Sequence, residues 1–182
     1  MGIFVGPARA RRFFDFLSKV YDVINPFIYT ADMRDTLLRD VEGGRVLDVG
    51  VGTGYTTKHM REAVGIDLSK EMLTRARESY KGSLVLGDAS RPPFKPESFG
   101  TVISAGSLYY FNDPINAVRG FKKLLRDGGV VLTITPSWNV LRIFVHIFKE
   151  KDLRKIFKEA GLRLEKIQNM RGIAFYCKAM KE

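Results

Sequence analysis

The chain has 182 residues, of which 45% are hydrophobic and 27% charged, values that are typical of a globular protein and exclude a disordered chain. Its length suits a single domain, so we expect residues 1–182 to fold as one unit. No apolar run approaches the roughly 20 residues that a membrane-spanning helix needs. The single cysteine, Cys177, excludes an internal disulfide and predicts a cytoplasmic location.

The net charge of +10 is concentrated in the last third of the chain, where residues 116–182 contain 15 Lys and Arg but 6 Asp and Glu. A basic region of this kind can bind nucleic acid or an anionic membrane surface. Solvated helix faces, such as the one predicted for residues 149–159, also account for it. We favour the second explanation and keep RNA binding as an alternative.

The chain begins with two predicted helices, 8–24 and 31–41, which form an N-terminal helical lid segment (1–42) ahead of a predicted sheet core (43–182). Seven short segments rich in apolar and β-branched residues are then predicted to be strands: 45–49, 63–66, 83–87, 100–105, 129–135, 162–169 and 172–180.

Helix signals fall between these strands. Ser69 and Asp113 are predicted N-caps, and Gly161 follows a third helical segment. We also expect a helix directly after Gly54 and expect the helix that begins at Asp113 to continue to residue 127. The alternation predicts an α/β fold with a doubly wound, mostly parallel sheet, whose last two strands form an antiparallel hairpin at one edge.

Residues 46–54, VLDVGVGTG, join the first strand to the segment that follows it. Alternate glycines let the backbone approach a ligand closely. A dinucleotide-binding loop would need Gly or Ala where Tyr55 stands, and the lysine of a phosphate-binding loop is missing. Asp48 at the strand end would repel a phosphate and attract an ammonium group.

Two further carboxylates follow at the ends of the next strands. Asp67 lies 19 residues after Asp48, in AVGIDLS, where a carboxylate accepts hydrogen bonds from both hydroxyls of a ribose. Asp88, in LVLGDAS, can accept from the exocyclic amine of an adenine. The predicted ligand therefore has an amino-acid end, an unmodified ribose and an adenine.

The chain resembles the class I S-adenosylmethionine-dependent methyltransferases in four ordered motifs: VLDVGVGTG, VGIDLSKEML, GDASRPPF and LLRDGGVVLTI. The resemblance implies a Rossmann-like fold with seven strands, of which the last is antiparallel, and S-adenosylmethionine as cofactor. One departure is Phe99-Gly100, where the family often has Phe-Asp.

Carried over to this sequence, the resemblance places Gly50 and Gly52 against the methionine part of the cofactor. Asp48 would hold the loop or bind the ammonium group, directly or through water. Ser104 at the end of the fourth strand would lie near the sulfonium.

The resemblance also assigns the nucleoside end. Asp67 would bind the ribose hydroxyls, and Leu68 would flank the adenine. Asp88 and the Ala89 amide would recognise the edge of the base. The alternative for these aspartates is that they cap turns and helices.

The acceptor side is less defined. The segment VYDVINPFIYTADMR is similar to the N-terminal helices of menaquinone and ubiquinone ring C-methyltransferases, which places Tyr21 and Tyr29 near the transferred methyl group, although both could be packing residues. Trp138 could form a wall of the acceptor site. No cluster of His, Cys and Asp has the spacing of a metal site.

The sequence therefore predicts in-line transfer of a methyl group to a small-molecule or lipid-like acceptor. RNA methylation, using the basic C-terminal third, and a non-catalytic nucleoside-binding module are the alternatives.

Overall fold

The computed structural model describes residues 29–138 and 146–182. The helices in this part of the chain are α1 (Ala31–Arg39), α2 (Lys70–Ala76), α3 (Pro114–Leu124) and α4 (Glu150–Ala160), with a short 3-10 helix at Leu108–Tyr110. The strands are β1 (Val46–Val49), β2 (Ala63–Asp67), β3 (Ser83–Leu86), β4 (Phe99–Ala105), β5 (Leu125–Pro136), β6 (Arg163–Met170) and β7 (Ala174–Met180).

These strands form one seven-stranded sheet in the order β3-β2-β1-β4-β5-β7-β6. Strands β1 to β5 are parallel, whereas β7 pairs antiparallel with both β5 and β6. The doubly wound sheet, the antiparallel last strand and the hairpin at the edge are thus confirmed. The strand order reverses between β1 and β4, and in open α/β sheets ligands bind beyond the carboxyl ends of the strands at such a point.

The central strands of the sheet are buried on both faces. One apolar layer contains the inward faces of α3 and α4, including Phe121 and Phe157. The other lies under α1 and includes Leu37 and Tyr176. The continuously apolar central strands therefore have the composition expected of parallel strands covered on both sides.

The predicted caps are observed. The Ser69 hydroxyl accepts a hydrogen bond from the Met72 amide, and the Asp113 carboxylate accepts one from the Asn116 amide. Gly161 ends α4 in the left-handed region at φ 76°. Each cap satisfies backbone groups that a helix end would otherwise leave without a partner.

The helix predicted directly after Gly54 is wrong. Residues 52–59 form successive turns, in which the Lys58 amide donates to the Gly54 carbonyl and the Met60 amide to the Thr57 carbonyl. The side chain of Thr57 is engaged with Asp48. This tertiary hydrogen bond of Thr57 competes with helix formation in the segment. Thr56, a second β-branched residue, and Gly54 also disfavour a helix here.

The predicted end of α3 at residue 127 is also wrong, because the helix ends at Leu124. Leu125 already pairs with Phe99 of β4, and a β-bulge separates this pair from the regular register that begins at Thr101 and Val130. Tertiary pairing therefore overrides the helical spacing of the apolar residues.

The Phe99-Gly100 departure has a steric explanation. A Cβ atom on Gly100 would lie 2.1 Å from the Gly43 carbonyl oxygen. That carbonyl also accepts a hydrogen bond from the Arg126 guanidinium. The close approach of the two backbones at the amino ends of β1 and β4 therefore requires glycine at this position.

Within residues 29–138 and 146–182, none of the helices has both the length and the apolar character needed to cross a bilayer.

Candidate functional site

A cleft opens at the carboxyl ends of β1, β2, β3 and β4, and the space between its walls, open solvent included, is about 760 Å³. Six of the eight predicted cofactor positions line it: Gly50, Gly52, Asp67, Leu68, Asp88 and Ala89. The sheet therefore brings together residues that lie up to 39 positions apart in the sequence.

The Asp67 carboxylate stands at the end of β2 and is oriented by the backbone. One of its oxygens accepts a hydrogen bond from the Gly52 amide at 2.8 Å, and the other accepts from the Ser69 amide at 2.9 Å. A carboxylate offers about four acceptor positions. The two hydrogen bonds from backbone amides thus orient the Asp67 carboxylate, which can also accept hydrogen bonds from the hydroxyls of a ligand.

Asp88 follows β3, lines the cleft and is half-buried. Its Oδ1 atom accepts a hydrogen bond from the Ser90 amide at 2.8 Å. This bond turns the loop so that Ala89 also faces the cleft. The arrangement presents a carboxylate and an adjacent backbone segment to one edge of a planar ligand.

Gly50 permits the loop after β1 to pass close to the loop after β4. Its φ of 67° lies in the left-handed region, and a Cβ atom here would stand 2.6 Å from the Ser107 Cβ atom. No side chain fits at that separation. The glycine is therefore required by conformation as well as by space.

Ser107 is a site residue that the sequence analysis missed. It lines the cleft and donates a hydrogen bond to the Val49 carbonyl at 2.6 Å, which joins the β4 loop to the end of β1. Its Oγ lies 2.7 Å from the Ser104 Oγ. The spacing of the two serines in SAGS (104–107), which spans the end of the fourth predicted strand, is the signal that could have revealed it.

Two predicted cofactor positions are not among the residues that line the cleft. Ser104 is fully buried behind Ser107. Because Ser107 donates its only hydroxyl hydrogen to Val49, Ser104 is the donor in the bond between the two serines. Its hydrogen is therefore directed at Ser107.

Asp48 is the second of these positions and lies beneath the glycine loop. It is 2% exposed, and its Oδ2 atom accepts a hydrogen bond from the Thr57 hydroxyl at 2.7 Å. The pKa of this carboxyl is raised to about 7, mainly by burial. The hydrogen bond from Thr57 lowers the pKa, and the charge of Asp67 raises it. Asp48 thus contacts the loop from below, one layer behind the cleft wall.

The remaining wall of the cleft is apolar and aromatic. Ile66 and Met72 lie on the β2 side, and Tyr110 and Phe111 follow β4. Aromatic and apolar walls with a few fixed polar groups are typical of small-molecule sites. The polar groups orient the ligand, while the apolar surface contributes burial.

Of the three candidate acceptor residues, the two that the structure describes do not line this cleft. Tyr21 lies outside the described residues. Tyr29 is buried beside α1, with its ring edge-on to Tyr55 at a centroid distance of 5.7 Å. Trp138 is 54% exposed after β5. Neither Tyr29 nor Trp138 is among the described residues that line the cleft, so their predicted roles stay predictions.

Comparison with known proteins matches residues 47–133 to the model of the methyltransferase domain family. A 2-methyl-6-phytyl-1,4-hydroquinone methyltransferase from Oryza sativa subsp. japonica is 36% identical, in an alignment that covers 87% of this chain and 51% of that protein. A demethylmenaquinone methyltransferase from Staphylococcus aureus is 30% identical and is matched over 77% of this chain and 65% of its own length. The chain spans about half the length of the plant relatives it matches.

Solved structures share the fold. A SAM-dependent methyltransferase from Aquifex aeolicus superimposes with a TM-score of 0.76 at 18% identity and covers 93% of this chain and 98% of its own. Geranyl diphosphate C-methyltransferase from Streptomyces coelicolor gives a TM-score of 0.73 at 14% identity, with 84% and 79% covered. These structures show the fold alone. By the matched methyltransferase domain and the relatives named as quinone methyltransferases, the chain belongs to the class I S-adenosylmethionine-dependent methyltransferases, in the group that includes the quinone methyltransferases.

Proposed function

We propose that this protein binds S-adenosylmethionine in the cleft and transfers its methyl group to a lipid-like hydroquinone. The observation that carries the proposal is Asp67, which lines the cleft and whose carboxylate is held by two backbone amides. A ribose diol is a ligand that such a carboxylate recognises well, because both hydroxyls can donate to it.

The remaining residues fit the rest of the cofactor. Asp88 and Ala89 would bind the adenine edge, while Leu68 would lie against its face. Gly50 and Gly52 would allow the methionine part to lie close to the backbone. When bound, the cofactor supplies a methyl group that is already activated by its sulfonium.

The protein's own contribution would be to hold the acceptor in line with that methyl group and to exclude water. Alignment of two reactants can supply several kcal/mol of the barrier reduction. The hydroquinone class is proposed from the printed names of the rice and staphylococcal relatives. The aromatic side chains of Tyr110 and Phe111, at the β4 side of the cleft, support an aromatic acceptor.

The test is methyl transfer from radiolabelled S-adenosylmethionine to 2-methyl-6-phytyl-1,4-hydroquinone and to reduced demethylmenaquinone, each in detergent micelles. We expect label in the quinone product and an equal amount of S-adenosylhomocysteine. At a cofactor concentration near the wild-type KM, the Asp67→Asn variant should give far less product than the wild type, because its affinity for the cofactor is expected to be lower. Cofactor binding without transfer to either quinol, but with transfer to another extracted metabolite, would contradict the acceptor class.

The alternatives are not favoured. Several cations of the basic C-terminal third are engaged in ion pairs: Arg154 with Glu150, Arg163 with Glu165, Arg171 with Asp32, Lys178 with Glu42 and Lys181 with Glu97. A basic surface partly neutralised in this way supports the solvated-face explanation more than RNA binding. Cytoplasmic location and the single-domain boundaries stay predictions from the sequence.

A further inference from the structure

A chain of three polar side chains runs beneath the glycine loop, away from the cleft. The Thr57 hydroxyl lies 2.7 Å from the Asp48 carboxylate and 2.8 Å from the Tyr80 hydroxyl. Thr57 is fully buried, and Asp48 is 2% exposed. The sequence analysis did not single out Thr57 or Tyr80.

The hydrogen bonds in this chain have one consistent direction. Thr57 donates to Asp48 and has only one hydroxyl hydrogen. Tyr80 must therefore be the donor in the second bond. The result is a relay in which Tyr80 donates to Thr57 and Thr57 donates to the carboxylate, and such donor chains strengthen each member and favour the ionised form of the final acceptor.

Tyr80 also packs directly against the glycine loop. A Cβ atom on Gly54 would lie 2.7 Å from the Tyr80 Cδ2 atom, so the aromatic ring fills the space that the glycine leaves. The neighbouring Lys81 amide donates to the Lys58 carbonyl at 2.9 Å. The segment after α2 is thereby held against the glycine loop and the turns that follow it. The contacts are the Tyr80 hydroxyl on Thr57, the Tyr80 ring on Gly54 and the backbone hydrogen bond from Lys81 to Lys58.

We propose that Tyr80 is a positioning residue for the cofactor: acting through Thr57, it keeps Asp48 oriented and ionised, and holds the glycine loop in the shape that receives the ammonium end of S-adenosylmethionine. The inference rests on the proposed function. It adds a requirement to it, namely that a hydroxyl outside the cleft wall controls affinity for the amino-acid end of the ligand.

The surroundings of Asp48 determine the expected pH dependence. In the sheet it lies between Gly65 of β2 and Ile103 of β4, neither of which titrates. Among the described residues, the titratable groups that interact with it are Asp67, Tyr80 and Tyr29. Burial raises the pKa of both tyrosines, so they stay neutral near pH 7. Of the described groups that interact with Asp48, Asp67 is therefore the charged one at this pH.

The sign follows from the raised pKa of Asp48, about 7 in the ligand-free protein. Below this pH the buried Asp48 carboxyl holds its proton, and an ammonium group in the cleft loses the attraction of that charge. Binding of the cation favours the ionised form, so binding releases a proton and the affinity rises as the pH increases through about 7. Removal of the Tyr80 donor should move this rise to higher pH.

The experiment is calorimetric titration with S-adenosylhomocysteine, which keeps the amino-acid end, at pH values from 5.5 to 8. Tyr80→Phe retains the ring against Gly54 and removes only the hydroxyl. We expect its affinity near pH 7 to be roughly fivefold to tenfold weaker than that of the wild type, since a bond that supports a charged acceptor is lost. The midpoint of its pH profile should be higher, and the two affinities should converge toward pH 8.

Two further variants separate the relay from simple packing. Thr57→Val breaks the same relay with nearly the same side-chain shape and should shift the midpoint in the same direction. Asp48→Asn removes the carboxyl group whose titration is proposed to cause the pH dependence. The affinity of this variant should therefore change little with pH, apart from the effect of the ligand's own titration. With methyl transfer as readout, Tyr80→Phe should raise the KM for the cofactor and leave kcat within about twofold, because the reacting atoms are not contacted.

The two levels of the proposal fail in different ways. If the wild-type protein does not bind S-adenosylhomocysteine at any pH, the proposed function is rejected. If the wild type binds but Tyr80→Phe and Thr57→Val have its affinity and its pH midpoint, only the positioning role is rejected.

Discussion

Replacement of Asp67 by Asn should weaken binding of S-adenosylhomocysteine by roughly 100-fold, because the variant loses the charge that supports two ribose hydrogen bonds of about 1.5 kcal/mol each. The amide nitrogen would in addition face a backbone N–H, either that of Gly52 or that of Ser69, which both now donate to the carboxylate. Calorimetric titration at pH 7.5 measures the effect.

Asp127→Asn is the matched control. This aspartate is 81% exposed, pairs with Lys181 and lies near the amino end of β5, whereas the cleft lies at the carboxyl ends of the strands. We expect wild-type affinity for this variant. Wild-type affinity in Asp67→Asn, with the fold intact by circular dichroism, would remove Asp67 from the binding site.

Gly50→Ala should lower stability and affinity together. The added Cβ atom would lie 2.6 Å from Ser107 Cβ, at a φ of 67° that disfavours alanine. We expect a loss of about 2–4 kcal/mol in the free energy of unfolding, since strain of this kind costs about 1–3 kcal/mol and the loops must also separate. Thermal unfolding should show a Tm lower by about 6–12 °C, and calorimetry should show weaker cofactor binding.

Gly120→Ala is a control with the opposite expected sign. Gly120 lies inside α3, and a Cβ atom there has no neighbour within 4 Å among the described residues. Alanine should therefore stabilise the helix by about 0.5–1 kcal/mol. Ser107→Gly alone removes hydrogen bonds to Val49 and Ser104 and should also lower stability. In the double variant Gly50→Ala, Ser107→Gly the steric conflict is absent, so its loss of stability should be smaller than the sum of the two single losses. An unchanged Tm in Gly50→Ala would contradict the close packing of the two loops.

The strands were predictable because parallel strands covered on both faces are continuously apolar, as in β1 and β2. The caps at Ser69 and Asp113 were predictable because each depends on a local side chain. Both kinds of signal are contained within a few residues. The doubly wound topology followed from the alternation of strands with helices, and the antiparallel last strand also from the family resemblance.

The errors came from tertiary contacts. Thr57 turns inward to reach Asp48, which disrupts the helix expected after Gly54. Leu125 pairs with Phe99 across a bulge, which ends α3 early. The partners, Asp48 and Phe99, lie outside the two segments. The spacing of residues within each segment therefore could not reveal the interaction that competes with the helix.

The cleft shows the same division. Carboxylates at strand ends, Asp67 and Asp88, could be placed because parallel strands end at one edge. The layer behind the cleft could not, because Ser107 and Tyr80 act on residues 58 and 23 positions away, respectively. Asp48 and Ser104 share the strand-end pattern, yet their side chains lie behind the cleft wall.

A crystal structure with S-adenosylhomocysteine bound tests the central claim most directly. The account predicts both ribose hydroxyls within hydrogen-bond distance of the Asp67 carboxylate, the adenine between Leu68 and the loop that carries Asp88 and Ala89, and the amino-acid end against Gly50 and Gly52. A nucleoside bound elsewhere, or one in this cleft whose ribose does not contact Asp67, would contradict it.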